Sequence, residues 1–484
     1  MCSLARFPDI LDESGVTVCQ IDGNVQYANP EFLNLRTYTD AVTDHPTINL
    51  PRDGLVHPKI ASTAGTLLLP EESSLLERIE DAWFEAGIGR ILELLDEEST
   101  VLKYPARYLR LLMKSVQLAI KYTVAPRYEE YNSLAHTERE RSPVVCISWH
   151  PHSLMIAVAI RDDTVVIYSR NSNFTPFLKS KAQRRITAIS WRPGSLSELA
   201  VACSAGVYLW DIDRQNLTSR PAISTNARLL RGCYVTSVSW SPEGDYLVMA
   251  NNSNYMTVWC PDEMRKVDLK NSGGGISQVS WSPDGSKIIA CSNSHVVRIW
   301  NTSNWMSDLW KTSGGQATFP VWSADGSVVL FATRNDPCLC RFNFSTDPQN
   351  SGVQAVADLA FTKFGDDYQV GGDVTGMTWD PSNQYLAIIF ANSPLVAVFY
   401  TKTSPMFSGL TFSIKPGFFI KGAPNELPTS IAFEINFKQG ANLTICWSSG
   451  RLQYFPIVSN LSKSRHSSSN LSGYRANSTG MSPF

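Results

Sequence analysis

Apolar residues along this chain fall in short runs of strand length. In "ISQVSWSPDGSK", from Ile276, Val279 and Trp281 alternate with Ser280 and Ser282. A turn follows, and then a second apolar run, "KIIACS". Alternation of this kind indicates a β-strand with one face buried. A third run often closes on an aromatic residue, as in "GVYLWD" at Trp210, "MTVW" at Trp259 and "VVRIW" at Trp300. Strand, turn, strand and strand is the grammar of one unit.

The unit recurs. Relatives of the first strand and its turn begin at Val144, Ile186, Val235, Ile276, Thr318 and Val374. They align Trp149, Trp191, Trp240, Trp281, Trp322 and Trp379, at spacings of 42, 49, 41, 41 and 57 residues. A period of about 40 to 45 residues belongs to four-stranded propeller blades. A seventh, degenerate unit, "TSIAFEINF…ANLTICWSSG…RLQYFPIV", puts Phe433 in the tryptophan position. Seven units predict an all-β, seven-bladed propeller over 140–458, and closure of the ring removes exposed sheet edges.

Candidate chemistry gives way to this reading. Ser282-Pro283-Asp284-Gly285 matches a type I turn position by position, with Pro283 presetting φ and Gly285 closing the turn. His150 and His152 could be metal ligands, but they occupy the turn position of their repeat and read as exposed loop residues. "SGGGIS" at 272–277 lacks the Gly-Lys-Ser/Thr ending and the following helix of a phosphate-binding loop. The acidic pairs Asp162-Asp163 and Asp366-Asp367 show no partner, and no G-x-S-x-G elbow or H-E-x-x-H helix occurs. The pattern predicts a protein that is not an enzyme and needs no cofactor or metal.

Outside the repeats the patterning changes. Residues 1–70 are irregular, apart from a hairpin-like "VTVCQIDGNVQYAN" at 16–29. Its Val16–Gln20 stretch either lends a closing strand to the last blade or lies elsewhere on the surface. Residues 71–135 read as an α-helical insert. Leu109, Leu112, Met113, Val116, Ala119 and Ile120 form one apolar face there. Residues 101–127 hold six Lys or Arg and no acid, so Arg107, Arg110, Lys114 and Lys121 are a candidate interaction surface. The competing reading packs this basic helix against its acidic neighbour or the propeller, the commoner fate of amphipathic helices. The Ser- and Asn-rich stretch 459–484 has little to bury and reads as a disordered tail.

Composition adds limits. Hydrophobic residues make up 43% and charged residues 18%, a globular balance. The formal net charge of -2 shows no basic excess, so no nucleic-acid partner is expected. The 10 Cys form no C-x2-C pair, and no secretory signal precedes them, which suits reduced thiols inside the cell. No apolar run approaches membrane-spanning length, so a direct span is not expected.

The repeats resemble the WD-repeat propellers, although only Trp210-Asp211 forms the Trp-Asp dipeptide at the end of a third strand and the opening Gly-His pair is missing. A narrower resemblance rests on "MCSL" at the start, "SWHPHS…AVAIRDDTVVIY" at 148–168 and "SGGGISQVSWSPDGSKI" at 272–288. It rests also on "GGDVTGMTWDPS" at 371–382 and "WSSGR" at 447–451. In these strings, and in the order of its parts, the chain resembles the aladin family of WD-repeat nucleoporins. That resemblance implies a non-catalytic scaffold in the nuclear pore complex, with some cytoplasmic pool. It implies attachment at the nuclear envelope through a transmembrane nucleoporin, other pore proteins as partners, and a part in nucleocytoplasmic protein transport. The alternative is a generic WD adaptor, such as a ubiquitin-ligase substrate receptor.

Overall fold

The computed structural model describes residues 2–9, 15–29, 40–48, 50 and most of 142–458. Within the last range, 171–174, 213–226, 233, 252, 254, 272–274, 314, 345–351, 365–367 and 407–408 are not among them. Two compact units divide the chain, 1–52 with 138–484 and 53–137. The second unit lies outside the described residues, and with it the expected helices and Arg107, Arg110, Lys114 and Lys121. So do the expected tail at 459–484 and Asp366-Asp367.

Seven antiparallel blades follow one another along the chain. Blade 1 spans Val144–Leu178, blade 2 Ala188–Arg231, blade 3 Val235–Lys270 and blade 4 Ile276–Lys311. Blade 5 spans Ala317–Asp358, blade 6 Val374–Lys421 and blade 7 Pro428–Val458. In each, the strand carrying the repeat tryptophan, or Phe433, is innermost. Each innermost strand abuts the next, and that of blade 7 abuts that of blade 1, so the ring is closed. One face carries the turns between first and second strands, the turn face. The other carries the links between blades, the connector face.

Burial along the innermost strands is not a simple alternation. In Val235–Trp240, Ile276–Trp281 and Val144–Trp149 the first, fourth and sixth residues are buried. A β-bulge near the second residue shifts the register in blades 1, 3, 4, 5, 6 and 7. A bulge leaves a ladder group of the neighbouring strand without its partner. Hydroxyls take that role. Ser277 donates to the Cys291 carbonyl at 3.0 Å, Thr429 to Cys446 at 3.1 Å and Thr236 to Ala250 at 3.3 Å.

The apolar clusters lie between blades. One holds Trp191, Leu199 and Trp210 of blade 2 against Ala157, Val165 and Ile167 of blade 1. Another joins Trp149, Ile156 and Val158 of blade 1 to Cys446 and Leu452 of blade 7, across the closing seam.

Pieces of the N-terminal segment lie along the rim. Cys2–Ser3 adds a parallel strand to the outer strand of blade 5, Gly352–Asp358. Phe7 stacks on Phe419 at 4.6 Å and meets Phe399 edge-on at 4.8 Å, both in blade 6. Val16–Ile21 pairs parallel with Leu452–Val458 of blade 7, and Asn24–Ala28 pairs with it in turn. Asp22 and Gly23 between them have φ of 49° and 87°, the positive values a tight two-residue hairpin turn requires. Thr17 Oγ1 accepts from the Lys421 N–H at 2.8 Å, tying this strand to blade 6.

Candidate functional site

The repeat tryptophans are buried between blades. Trp191 Nε1 donates to the Ser148 carbonyl of blade 1 at 3.1 Å, and Trp240 Nε1 to Ser190 of blade 2 at 3.3 Å. Trp322 Nε1 donates to Ser280 of blade 4 at 3.3 Å. Trp149 Nε1 reaches Thr444 Oγ1 of blade 7 at 2.9 Å, bonding across the seam. Trp281 and Trp379 turn inward to their own blades, to the Gly285 carbonyl at 3.1 Å and Thr401 Oγ1 at 3.0 Å. A buried indole N–H needs an acceptor; the neighbouring blade supplies it for Trp149, Trp191, Trp240 and Trp322, and the same blade for Trp281 and Trp379.

Trp210, Trp259 and Trp300, which end third strands, are buried as well. Trp210 Nε1 donates to Gln183 Oε1 at 2.8 Å, and Gln183 Nε2 donates to the carbonyls of Asp163 and Leu178. Trp447 Nε1 meets Gln453 Oε1 at 3.1 Å in the same way, and Gln453 Nε2 donates to the Thr17 carbonyl. Buried glutamines thus hold aromatic ends and loop carbonyls together. The sequence signal for them is weak: Gln183 lies in the link from blade 1 to blade 2 and Gln453 within the third strand of blade 7.

The turn at 282–285 is closed by the Gly285 N–H donating to the Ser282 carbonyl at 2.9 Å. Gly285 has φ +74°, and Pro283 is exposed beside it. Ser282 is fully buried, and its Oγ accepts the Lys287 N–H at 2.9 Å. Ser241 and Ser323 accept from Tyr246 and Val328 in the same manner. Burial acts to raise the Asp284 pKa. Hydrogen bonds from Ser282 and Ser286, with the Lys287 charge, outweigh it and hold the carboxyl below its ordinary value. Asp325 is held low by Ser323 and Ser327 against the same burial effect. These are turn-stabilising carboxylates.

His150 departs from the exposed-loop expectation. It is 2% exposed, while His152 is exposed. Its Nδ1 accepts from the N–H groups of His152 and Ser153 at 3.0 and 3.1 Å, and its ring lies 4.9 Å from Trp191. It stands in the place of Ser282 but caps the start of the turn, where Ser282 accepts the N–H that follows it, which a sequence pattern of serines does not announce. Asp163 likewise turns inward, accepting from the Arg185 and Ile186 N–H groups.

A buried polar contact that the sequence did not suggest sits at the seam. His45 Nε2 donates to Glu434 Oε2 at 2.7 Å, with both side chains under 10% exposed. Asn442 Nδ2 donates to the same oxygen at 2.8 Å. Among the described residues no group of His, Cys, Asp and Glu is placed to hold a metal. Burial pushes the Cys146 and Cys291 thiols up to about 12, away from nucleophile chemistry.

Two surface features remain. Tyr246, stacked on Trp281 at 6.2 Å, and Trp305 form an aromatic cluster on the turn face beside the exposed Met306. A rim groove of about 310 Å³ lies between blades 2 and 3, lined by Arg231, Tyr255, Thr257, Lys266 and Asp268.

The arrangement defines a closed WD-type propeller in which the residues that resemble reactive groups hold turns and blade boundaries. The Aladin seven-bladed propeller family matches residues 129–458, and the chain belongs to that family. Aladin of Arabidopsis thaliana is 27% identical over 346 residues, 64% of this chain and 75% of that protein. The WD repeat-containing protein dyf-2 of Caenorhabditis elegans is 27% identical over 131 residues, 27% of this chain and 9% of its own length. Among solved structures, the hydrazine synthase of Kuenenia stuttgartiensis is similar at 14% identity and a TM-score of 0.49. It covers 65% of this chain and 95% of that one. A chain of the mitotic checkpoint complex aligns with a TM-score of 0.48 at 14% identity, covering 65% and 89%. The fold assignment rests on the strand pairing and the family match.

Proposed function

We propose that this chain is a non-catalytic scaffold nucleoporin. It is a component of the nuclear pore complex, held at the nuclear envelope by a transmembrane nucleoporin, and it supports nucleocytoplasmic protein transport. The observation that carries this reading is membership of the Aladin propeller family over the whole ring. The physics supports a scaffold: a closed ring holds two faces and a rim at fixed geometry, so partners on each are presented in a constant relation. Such interfaces draw on a few buried aromatic anchors with a polar rim, and Tyr246 with Trp305 is a surface of that composition.

A tagged chain should give a punctate nuclear rim and co-purify with pore proteins. Diffuse cytosolic signal in cells that express every pore component would sink the reading. Recovery of ubiquitin-ligase subunits without pore proteins would put the adaptor in its place.

A further inference from the structure

The near-neutral net charge conceals an uneven distribution. Sequence positions far apart meet on the two faces of the ring. On the connector face, the outer strands of blades 2, 3 and 4 end in Arg231, Lys270 and Lys311, and Lys179 directly follows that of blade 1; all four are exposed. The link from blade 1 to blade 2, "KSKAQRRI", adds Lys181, Arg184 and Arg185, and Arg161 lies in the neighbouring turn. No Asp or Glu occurs between Thr164 and Ser197. In the turns and links on this side of blades 1 to 4 the acids are Asp162 and Asp163, and the exposed Asp268 stands two residues before Lys270 on the outer strand of blade 3. Asp163 is turned inward onto backbone N–H groups, and Asp162 accepts from the Thr164 N–H and lies 3.8 Å from Lys179 Nζ.

The turn face of blades 3 and 4 has the opposite sign. Glu243, Asp245, Asp262, Glu263 and Asp284 are exposed there, against Arg265 and the half-buried Lys287. Blades 3 and 4 are therefore polar along the ring axis, and a cationic arc runs over blades 1 to 4 of the connector face, ending at blade 5, where Asp336 is exposed in the turn between second and third strands.

We propose that this connector face docks on an anionic lipid bilayer surface. The cations are strung over four blades along one side, so a broad negative plane meets more of them together than a single peptide in a groove would. Lys and Arg held near an anionic leaflet each raise partitioning by about fivefold, without needing a pocket. Phe361, 59% exposed in the link from blade 5 to blade 6, stands on the same face beside the exposed Lys363 and supplies an apolar contact for the headgroup region. The proposal goes beyond pore membership and does not depend on it.

The test uses the purified full chain and sedimentation with vesicles of phosphatidylcholine alone or of phosphatidylcholine with phosphatidylserine. The chain should sediment only with the phosphatidylserine vesicles, and added salt should release it. Lys179→Glu, Lys181→Glu and Arg184→Glu together should lower partitioning by about two orders of magnitude. The set Arg231→Glu, Lys270→Glu and Lys311→Glu, on other blades, should do the same. An unchanged thermal melt shows that each variant is folded. Equal sedimentation with phosphatidylcholine alone overturns the proposal. So does binding that survives both sets but is lost on reversing Arg107, Arg110, Lys114 and Lys121. Capture by polyglutamate or by RNA, with no vesicle binding, would replace the membrane with an acidic protein or a nucleic acid. Because the vesicle assay contains no pore proteins, a failed nuclear-rim localisation and a failed vesicle result are separable.

Discussion

Trp281 and Ser282 are neighbours in sequence with separate structural tasks. The indole fills the boundary between blades 3 and 4, and the hydroxyl caps the hairpin that follows. Trp281→Ala should cost about 3–5 kcal/mol, the range for emptying a buried aromatic site. Ser282→Ala removes a buried acceptor from the Lys287 N–H and should cost about 1–2 kcal/mol. Asp284→Ala, at an exposed carboxylate, should cost less than either. Urea unfolding midpoints will rank the three, and equal values for Ser282→Ala and Asp284→Ala would refute the buried cap. At this scale the tryptophan positions and the turn were legible, because both repeat. The burial of Ser282 and the substitution of His150 for it were not, since hydrophilic residues in a Pro-Gly turn read as exposed. The hydroxyls near the start of the innermost strands have a sequence signal of their own. Thr187, Thr236, Ser277, Thr318, Thr375 and Thr429 all stand four residues before a Trp or Phe.

The strands of each blade could be read from their apolar runs and the turns between them, but for the N-terminal segment the last blade was only one of two places open to Val16–Gln20. "VTVCQIDGNVQYA" announces a hairpin, yet nothing local says that its first strand runs parallel to Leu452–Val458. The contacts of residues 40–48 are harder still to foresee: His45 and Glu434 are separated by 389 positions. Energetically this contact matters because both groups are desolvated. Truncating one partner of a buried pair leaves the other without compensation and typically costs about 3–5 kcal/mol. His45→Ala should fall near the low end, since the Asn442 amide still donates to Glu434 Oε2. His45→Ala combined with Glu434→Ala should cost clearly less than the two single changes added together. Additive costs in this double-mutant cycle, followed by thermal denaturation, would show that the pair does not couple the N-terminal segment to blade 7.

For the whole molecule, the position of the apolar clusters decides how it unfolds. Blades 2 and 3 share Leu209, Val238 and Trp240; blades 4 and 5 share Ile299, Trp322 and Phe331; blades 6 and 7 share Phe418, Ile445 and Phe455. No blade encloses a core alone, so a blade lost from the ring exposes both of its neighbours. A linear repeat array differs, because its stability is roughly a sum over repeats and nearest-neighbour interfaces, and terminal repeats can be removed one at a time. Excision of 428–458 would strip Trp149 of Thr444 and leave Val16–Ile21 without the strand it pairs with. It would also bare the blade 6 side of the cluster around Phe418, and exposed apolar edges of this kind promote association. The full chain should therefore melt its propeller in one calorimetric transition, while the chain lacking 428–458 should aggregate or lose that transition. A soluble, monomeric excision product with a cooperative melt would mean that the remaining blades close into a smaller ring, and that the boundaries are less committed to seven than their shared cores imply.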